Sequence, residues 1–351
     1  MRYSGETWFD VYPSVLSIDG GGTEPLVIAM EDNPNCNGNP QYKWENIPIS
    51  QDYICDECGE PTPYSGQYFT IESLEDENTI YFKALTSNTI TISASTDNGN
   101  TWTAYTSSSG GNGTTIATLN TGDKVLVKGL NERYGQEGVS ASTHSNHFKT
   151  TKMWNVYGNI MSLISGDSFT NATTLSSYAF VGLFLLAKKL VSAENLVLPA
   201  TTLASYCYNN MFDRCTSLTT APVLPATTLA DYCYQYMFDG CSSLTTAPEL
   251  PATTLAQGCY TYMFRGCTSL TSAPVLSATT LSRVCYACMF WNCSNLNYIK
   301  CLATDISAYN CTWNWVSGVQ TTSGTFVKES SMSGWTTGNG GIPSGWTVQN
   351  A

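Results

Sequence analysis

The chain has 351 residues, of which 42% are hydrophobic and 12% charged, and its net charge is −12. That length exceeds one ordinary core and points to two to four domains. So acidic a chain, with only five arginines, excludes a phosphate-gripping surface and therefore nucleic acid as a partner; Thr, Ser, Asn and Gly must supply its polar surface.

The opening segment MRYSGETWFDVYP lacks the apolar core of a secretion signal. No apolar run approaches the ~20 residues of a membrane span, and the longest, Phe180–Ala187, is interrupted by Gly182. No membrane insertion is expected. A protein made and folded inside the cell, as phage virion proteins are, fits these features. The alternative is a bacterial surface or secreted protein whose signal has been removed.

In residues 1–35, WFDVYPSVLSIDGGGTEPLVIAMEDN reads as two alternating strands around a turn at Gly20 to Gly22. This pattern resembles the opening hairpin of a BACON-type or related immunoglobulin-like module, a carbohydrate-associated sandwich. It assigns residues 1–66 to a small β module. Cys36 and Cys55-x-x-Cys58 follow in a Pro/Asn/Gly-rich stretch, as simple thiols, a loop-closing disulfide or a zinc site. Zinc needs four ligands, and the only histidines, His144 and His147, lie about 90 residues further on.

Residues 67–150 carry a run of short strands: QYFTIES, NTIYFKA, TITISAS, TWTAYT, TTIATL and KVLVKGL. Their spacing predicts a β-sandwich or β-meander. Ser95-x-Asp97-x-Gly99-x-Thr101-Trp102 is similar to the Asp-box hairpin of sialidases. A sialidase would need several boxes and an arginine triad, so one box predicts only a turn that Asp97 caps and Trp102 underpins.

Residues 151–318 are read as one repeat domain, whose units recur with a period of 26. LPATTLASYCYNNMFDRCTSLTTAPV starts at Leu198, and related units start at Leu224, Leu250 and Leu276; degraded units flank them, and residues 319–351 form a cap or tail. Cys207, Tyr208, Met211, Phe212 and Cys215 fall at i, i+1, i+4, i+5 and i+8, a spacing that predicts one buried stripe of a helix. Leu218 to Pro225 is Thr-rich and Pro-bounded and predicts an extended segment. The expected fold is thus an N-terminal all-β (immunoglobulin-like or β-sandwich) part followed by a solenoid of strand-plus-helix coils. Strands stack ~4.8 Å apart and helices 8–10 Å apart, so such a stack must curve. The Met237-Phe238, Cys241, Leu244, Pro248 pattern resembles the BspA-like class of leucine-rich repeats. That resemblance implies adhesion rather than catalysis.

Of 14 cysteines, 11 lie in the repeats. On a helix, Cys207 and Cys215 would stand ~12 Å apart, beyond the ~7 Å reach of a disulfide. Buried free thiols are expected. The carboxylates cluster in turns (Glu31-Asp32, Glu72 to Glu77), and Cys285-x-x-Cys288 has only Arg283 nearby to lower a thiol. No catalytic residues, cofactor or metal site is expected.

Comparing the units internally, the apolar positions hold while their neighbours vary: Ser205-Tyr206, Asn209-Asn210, Asp213-Arg214 and their equivalents. The pattern reads either as drift on a solvated face or as a binding face rich in hot-spot residues. The candidate ligand-binding residues are Tyr206, Asn210, Arg214, Tyr232, Tyr236, Tyr262, Arg265, Arg283 and Trp291. The Thr pairs, such as Thr201-Thr202 and Thr227-Thr228, form ladders on a second face. The expectation is a non-enzymatic adhesion or receptor-binding protein, displayed on a phage virion, that contacts a host-surface glycan or protein and other virion proteins or itself. A bacterial adhesin and a purely structural scaffold are the alternatives.

Overall fold

The computed structural model describes residues 64, 66–85, 89–136, 145–319 and 322–351, and the backbone of residues 28–32 and 40–44. Two compact units divide the chain, Met1–Pro63 and Tyr64–Ala351. In the first, β1 (Ile28–Asp32) and β2 (Pro40–Trp44) pair antiparallel, with Ile28 opposite Trp44. The expected turn at Gly20 to Gly22 lies outside the described residues, as do Cys36, Cys55, Cys58 and His144.

The second unit opens with strands where alternating residues are apolar: β3 (Phe69–Ser73), β4 (Asn78–Ala84), β5 (Thr91–Ser95), β6 (Thr103–Thr106), β7 (Thr114–Leu119) and β8 (Lys124–Lys128). In β4 every second residue is buried, as a pleated strand with one inward face requires. With β9 (Asn146–Thr150) and β10 (Trp154–Asn159), these strands build two sheets. One runs β7-β4-β9. The other runs β10-β3-β8-β5-β6 and is extended at β10 by β11 (Leu190–Ser192) and β12 (Leu196–Val197). Their inner faces meet where the Phe148 ring packs 5.4 Å from Phe69 and 5.1 Å from Phe82. β11 and β12 pair parallel to β10, whereas β3 pairs antiparallel to it, so β10 carries the chain from sandwich to repeats.

The repeats contain no helix, and the expected solenoid of leucine-rich strand-plus-helix coils is overturned. Among the described residues the only α-helix, α1 (Ser162–Ser165), precedes the first unit. The stripe from Cys207 to Cys215 is instead a chain of overlapping turns. Alternate backbone N–H groups bond within the unit, three residues back: Cys207 to Ala204, Asn209 to Tyr206, Met211 to Tyr208, Asp213 to Asn210. The N–H groups between them cross to the next unit: Tyr206 to Asp231, Tyr208 to Cys233, Asn210 to Gln235, Phe212 to Met237. Buried backbone donors must find acceptors, and this alternation supplies them with neither helix nor ladder.

A left-handed residue at every fourth position prevents a helix from forming. Tyr206, Asn210 and Arg214 have φ of 59°, 55° and 58°, and the same places in later units hold Tyr232, Tyr236, Gly240, then Gly258, Tyr262, Gly266. Each such residue turns the chain, so two buried residues alternate with two corner residues. The buried pairs stack in columns. The rings of Phe184, Phe212, Phe238, Phe264 and Phe290 follow one another at 5.1 to 5.8 Å. That spacing is close to strand spacing, and no wide helical layer exists to bend the stack. The Pro-bounded segment is extended but pairs mainly through isolated bridges, such as Ser192 with Thr220.

The two ends of the stack differ. At the first unit, Tyr134 and Phe148 of the sandwich donate their N–H groups to the carbonyls of Ala179 and Leu183. At the other end β13 (Tyr298–Cys301), β14 (Thr325–Lys328) and β15 (Thr347–Asn350) form a parallel sheet. One continuous core runs from Phe69 to Trp346.

Candidate functional site

The corners carry the varied side chains, and three columns of them run along the stack. The first holds Tyr178, Tyr206 and Tyr232, whose half-buried rings stack at 4.9 and 5.0 Å. It stops at Gly258, because a Cβ there would strike the Tyr232 ring. Gln257 finishes the column by donating Nε2 to the Tyr232 hydroxyl at 2.5 Å.

The second and third columns converge on a mixed aromatic and charged cluster. Tyr236 stacks on Tyr262 at 4.6 Å, and Trp291 tilts against Tyr262 at 6.3 Å. The Arg265 guanidinium lies 4.9 Å from the Tyr262 ring centre and 5.5 Å from that of Tyr236. It forks onto Asp239 of the preceding unit, with Nε 2.8 Å from Oδ1 and Nη2 bonded to Oδ2. Asp213 occupies the place one unit earlier, where the charge of Asp239 opposes its own and no guanidinium forks onto it. Its side chain is 7% exposed, Asn210 donates to Oδ2 at 3.1 Å, and Oδ1 has no hydrogen bond; the nearest cation is the Arg214 Nε at 3.7 Å. Burial, and then the charge of Asp239, push the Asp213 carboxyl up to about 6. Burial also raises Asp239, while Arg265 opposes the shift.

The sequence-predicted residues are therefore one surface in part only. Tyr206, Asn210, Tyr232, Tyr236, Tyr262, Arg265 and Trp291 are half-buried, and Arg214 and Arg283 are exposed. Several of the varying neighbours, Asn209, Asp213, Asp239 and Thr261, are buried, against the expectation that most face solvent. The stacked tyrosines spend their ring faces on one another and turn edges outward. Two strongly exposed aromatics lie outside the predicted set, Tyr309 at 64% and Trp313 at 48%, both on the last unit. The signal that would have found them is the 26-residue register, which places Tyr309 after Arg283 and Trp313 after Ala287.

The Asp-box hairpin between β5 and β6 is a structural device. Asp97 accepts from the Thr101 N–H at 2.9 Å and the Thr101 hydroxyl at 2.7 Å, and the Trp102 indole donates to the Gly99 carbonyl at 3.0 Å. Lys128 sits 4.1 Å over the Trp102 ring and is tied to Asp167 at 2.7 Å, which leaves the indole no open face for a ligand on that side.

Eleven repeat cysteines are free and buried, although the helix spacing used to expect this does not exist. Cys215, Cys241, Cys267 and Cys293 donate their thiols to the carbonyls of Phe184, Phe212, Phe238 and Phe264 at 2.9 to 3.1 Å. Burial raises all four thiols, that of Cys293 to about 12, which makes them poor nucleophiles. Among the described residues, no group of three or more His, Cys, Asp or Glu side chains is placed to hold a metal ion. No helix there is long and apolar enough to cross a membrane. Comparisons with protein-family models, with curated proteins and with solved structures find no match.

Proposed function

We propose that this protein acts by binding and not by catalysis, as an adhesive or receptor-binding protein that presents its repeat corners to a cell-surface glycan or protein. One observation carries the reading. Side chains vary at the corners of otherwise constant units, and the corners bring Tyr206, Tyr232, Tyr236, Tyr262, Arg265 and Trp291 into regular columns. The constant positions are the buried Cys, Tyr, Met and Phe pairs. Tyr, Trp and Arg are the residues that dominate binding energies. Held edge-on by stacking, these rings lose little further freedom when a partner docks.

The test replaces Tyr232, Tyr236, Tyr262 and Trp291 together with Ser. Circular dichroism should show an intact fold. Binding to immobilised extracellular-matrix proteins should fall at least tenfold, equivalent to ~1.4 kcal/mol. Unchanged binding by the folded variant would remove the corner columns from the function.

A further inference from the structure

Several corner side chains lean toward the unit that follows, although Arg265 and Gln257 reach back to the one before. Tyr232 covers Gly258, Arg214 lies against Gly240, and Arg283 holds its guanidinium 5.0 Å from the Tyr309 ring centre. The corner N–H groups cross in the same direction, as from Val284 to Tyr309 and from Cys288 to Trp313. Beyond the last unit, Asn339 accepts the Val316 N–H at 3.2 Å and Trp335 stacks on Trp315, but among the described residues no further corners follow its own. Asn310 and Asn314 keep the left-handed φ, 52° and 50°, yet their backbone N–H groups meet no acceptor among the described residues. Beside each stands an exposed aromatic, Tyr309 next to Asn310 and Trp313 next to Asn314. Arg283 occupies one face of Tyr309, and Trp313 is 48% exposed.

We propose that these two corners form a saccharide-binding platform, distinct from the stacked columns. A pyranose has an apolar C–H face that lies on an aromatic ring and a rim of hydroxyl oxygens that accept from N–H groups. The last unit offers both, with the Arg283 guanidinium beside Tyr309 as a further donor. Nucleobases also stack on aromatic rings, but a net charge of −12 repels their phosphates. An extended peptide would need a continuous edge from Asn310 to Asn314. That edge is interrupted, because Thr312 between them is buried and donates its hydroxyl to Gly340 at 2.8 Å. A ring ligand needs only one corner at a time, which this interruption leaves intact. The inference rests on the preceding reading in that the chain binds through its repeat corners, and it assigns free polysaccharide to these two corners and not to the stacked columns.

Native gel electrophoresis in gels cast with dextran, mannan, laminarin, xylan or soluble chitosan tests it. The whole protein should be retarded by at least one of these polysaccharides. Trp313→Ala and Tyr309→Ala should each weaken that retardation at least fivefold in apparent Kd, with the melting midpoint unchanged, and Trp313→Phe should keep most of it. The Tyr232, Tyr236, Tyr262, Trp291 to Ser variant should be retarded like the wild type. Loss in that variant with retention in Trp313→Ala would overturn the platform and leave the corner columns standing. Retardation by none of the five would also overturn it, as would a loss in Trp313→Ala that Tyr309→Ala does not parallel or that Trp313→Phe shares in full.

Discussion

Arg265 reaches back across one unit to Asp239 and closes a fork on a carboxylate that is itself buried. Taking the cation away leaves an uncompensated buried charge, a far larger penalty than the net worth of the pair. Arg265→Ala should cost about 3 kcal/mol of unfolding free energy in urea. Arg214, whose side chain is 62% exposed, stands 3.7 Å from Asp213 without a hydrogen bond to it. Arg214→Ala should cost under about 0.5 kcal/mol from charge. Equal losses at the two positions would show that Asp239 is not sealed from water.

Asp213 gives the fold a pH dependence with a definite sign. Its carboxyl titrates near 6 in the folded chain, above its ordinary 3.8, so folding favours the protonated form. The stabilisation is full below pH ~4 and is lost as pH rises through ~6, by about 2–3 kcal/mol. Asp213→Asn should therefore raise unfolding free energy at pH 8 and change little at pH 4. The comparison is between urea midpoints at the two pH values. A variant that is less stable at pH 8 would place the acid in a charge-stabilising site instead.

The cysteine columns should be inert in the native state. Alkylation with iodoacetamide at pH 8 should leave the eleven repeat thiols unmodified in the folded protein. Under denaturing, non-reducing conditions at least eight of those eleven should label. Cys207, Cys233 and Cys259 recovered as disulfides would contradict the free, buried thiols.

Which side chains form the repeat core was legible from the sequence; how the backbone carries them was not. Cys207, Tyr208, Met211, Phe212 and Cys215 read as one buried set, and all five are fully buried. The error lay in the period. A helix advances ~100° per residue, so a four-residue repeat drifts only ~40° per step from a helical stripe. Over the eight steps from Cys207 to Cys215 the two patterns are hard to separate. The distinguishing signal was at the corners, where Gly240, Gly258, Gly266, Asn292, Asn310 and Gly318 share columns that need positive φ. Tyr, Val284 and Cys288 in the same columns obscured it, because stacking between units holds side chains there that local preference disfavours. At the candidate site the varying positions were found, but not the burial of Asp213 and Asp239. A helix would have turned them outward.

Gly266→Ala tests most directly the central claim, that left-handed corners build the repeats and thereby set out the binding columns. Gly266 has φ of 71°, and an added Cβ would meet only the Gly240 backbone at an ordinary 3.6 Å, so the backbone conformation decides the outcome. In a corner, alanine must adopt a left-handed conformation, and the substitution should lower the unfolding free energy by about 1 kcal/mol. In a helix the same change would raise it by about 1 kcal/mol. A urea denaturation curve of the variant beside the wild type reads the sign. A shift to lower urea is the result expected of stacked turns, and a shift to higher urea would contradict them.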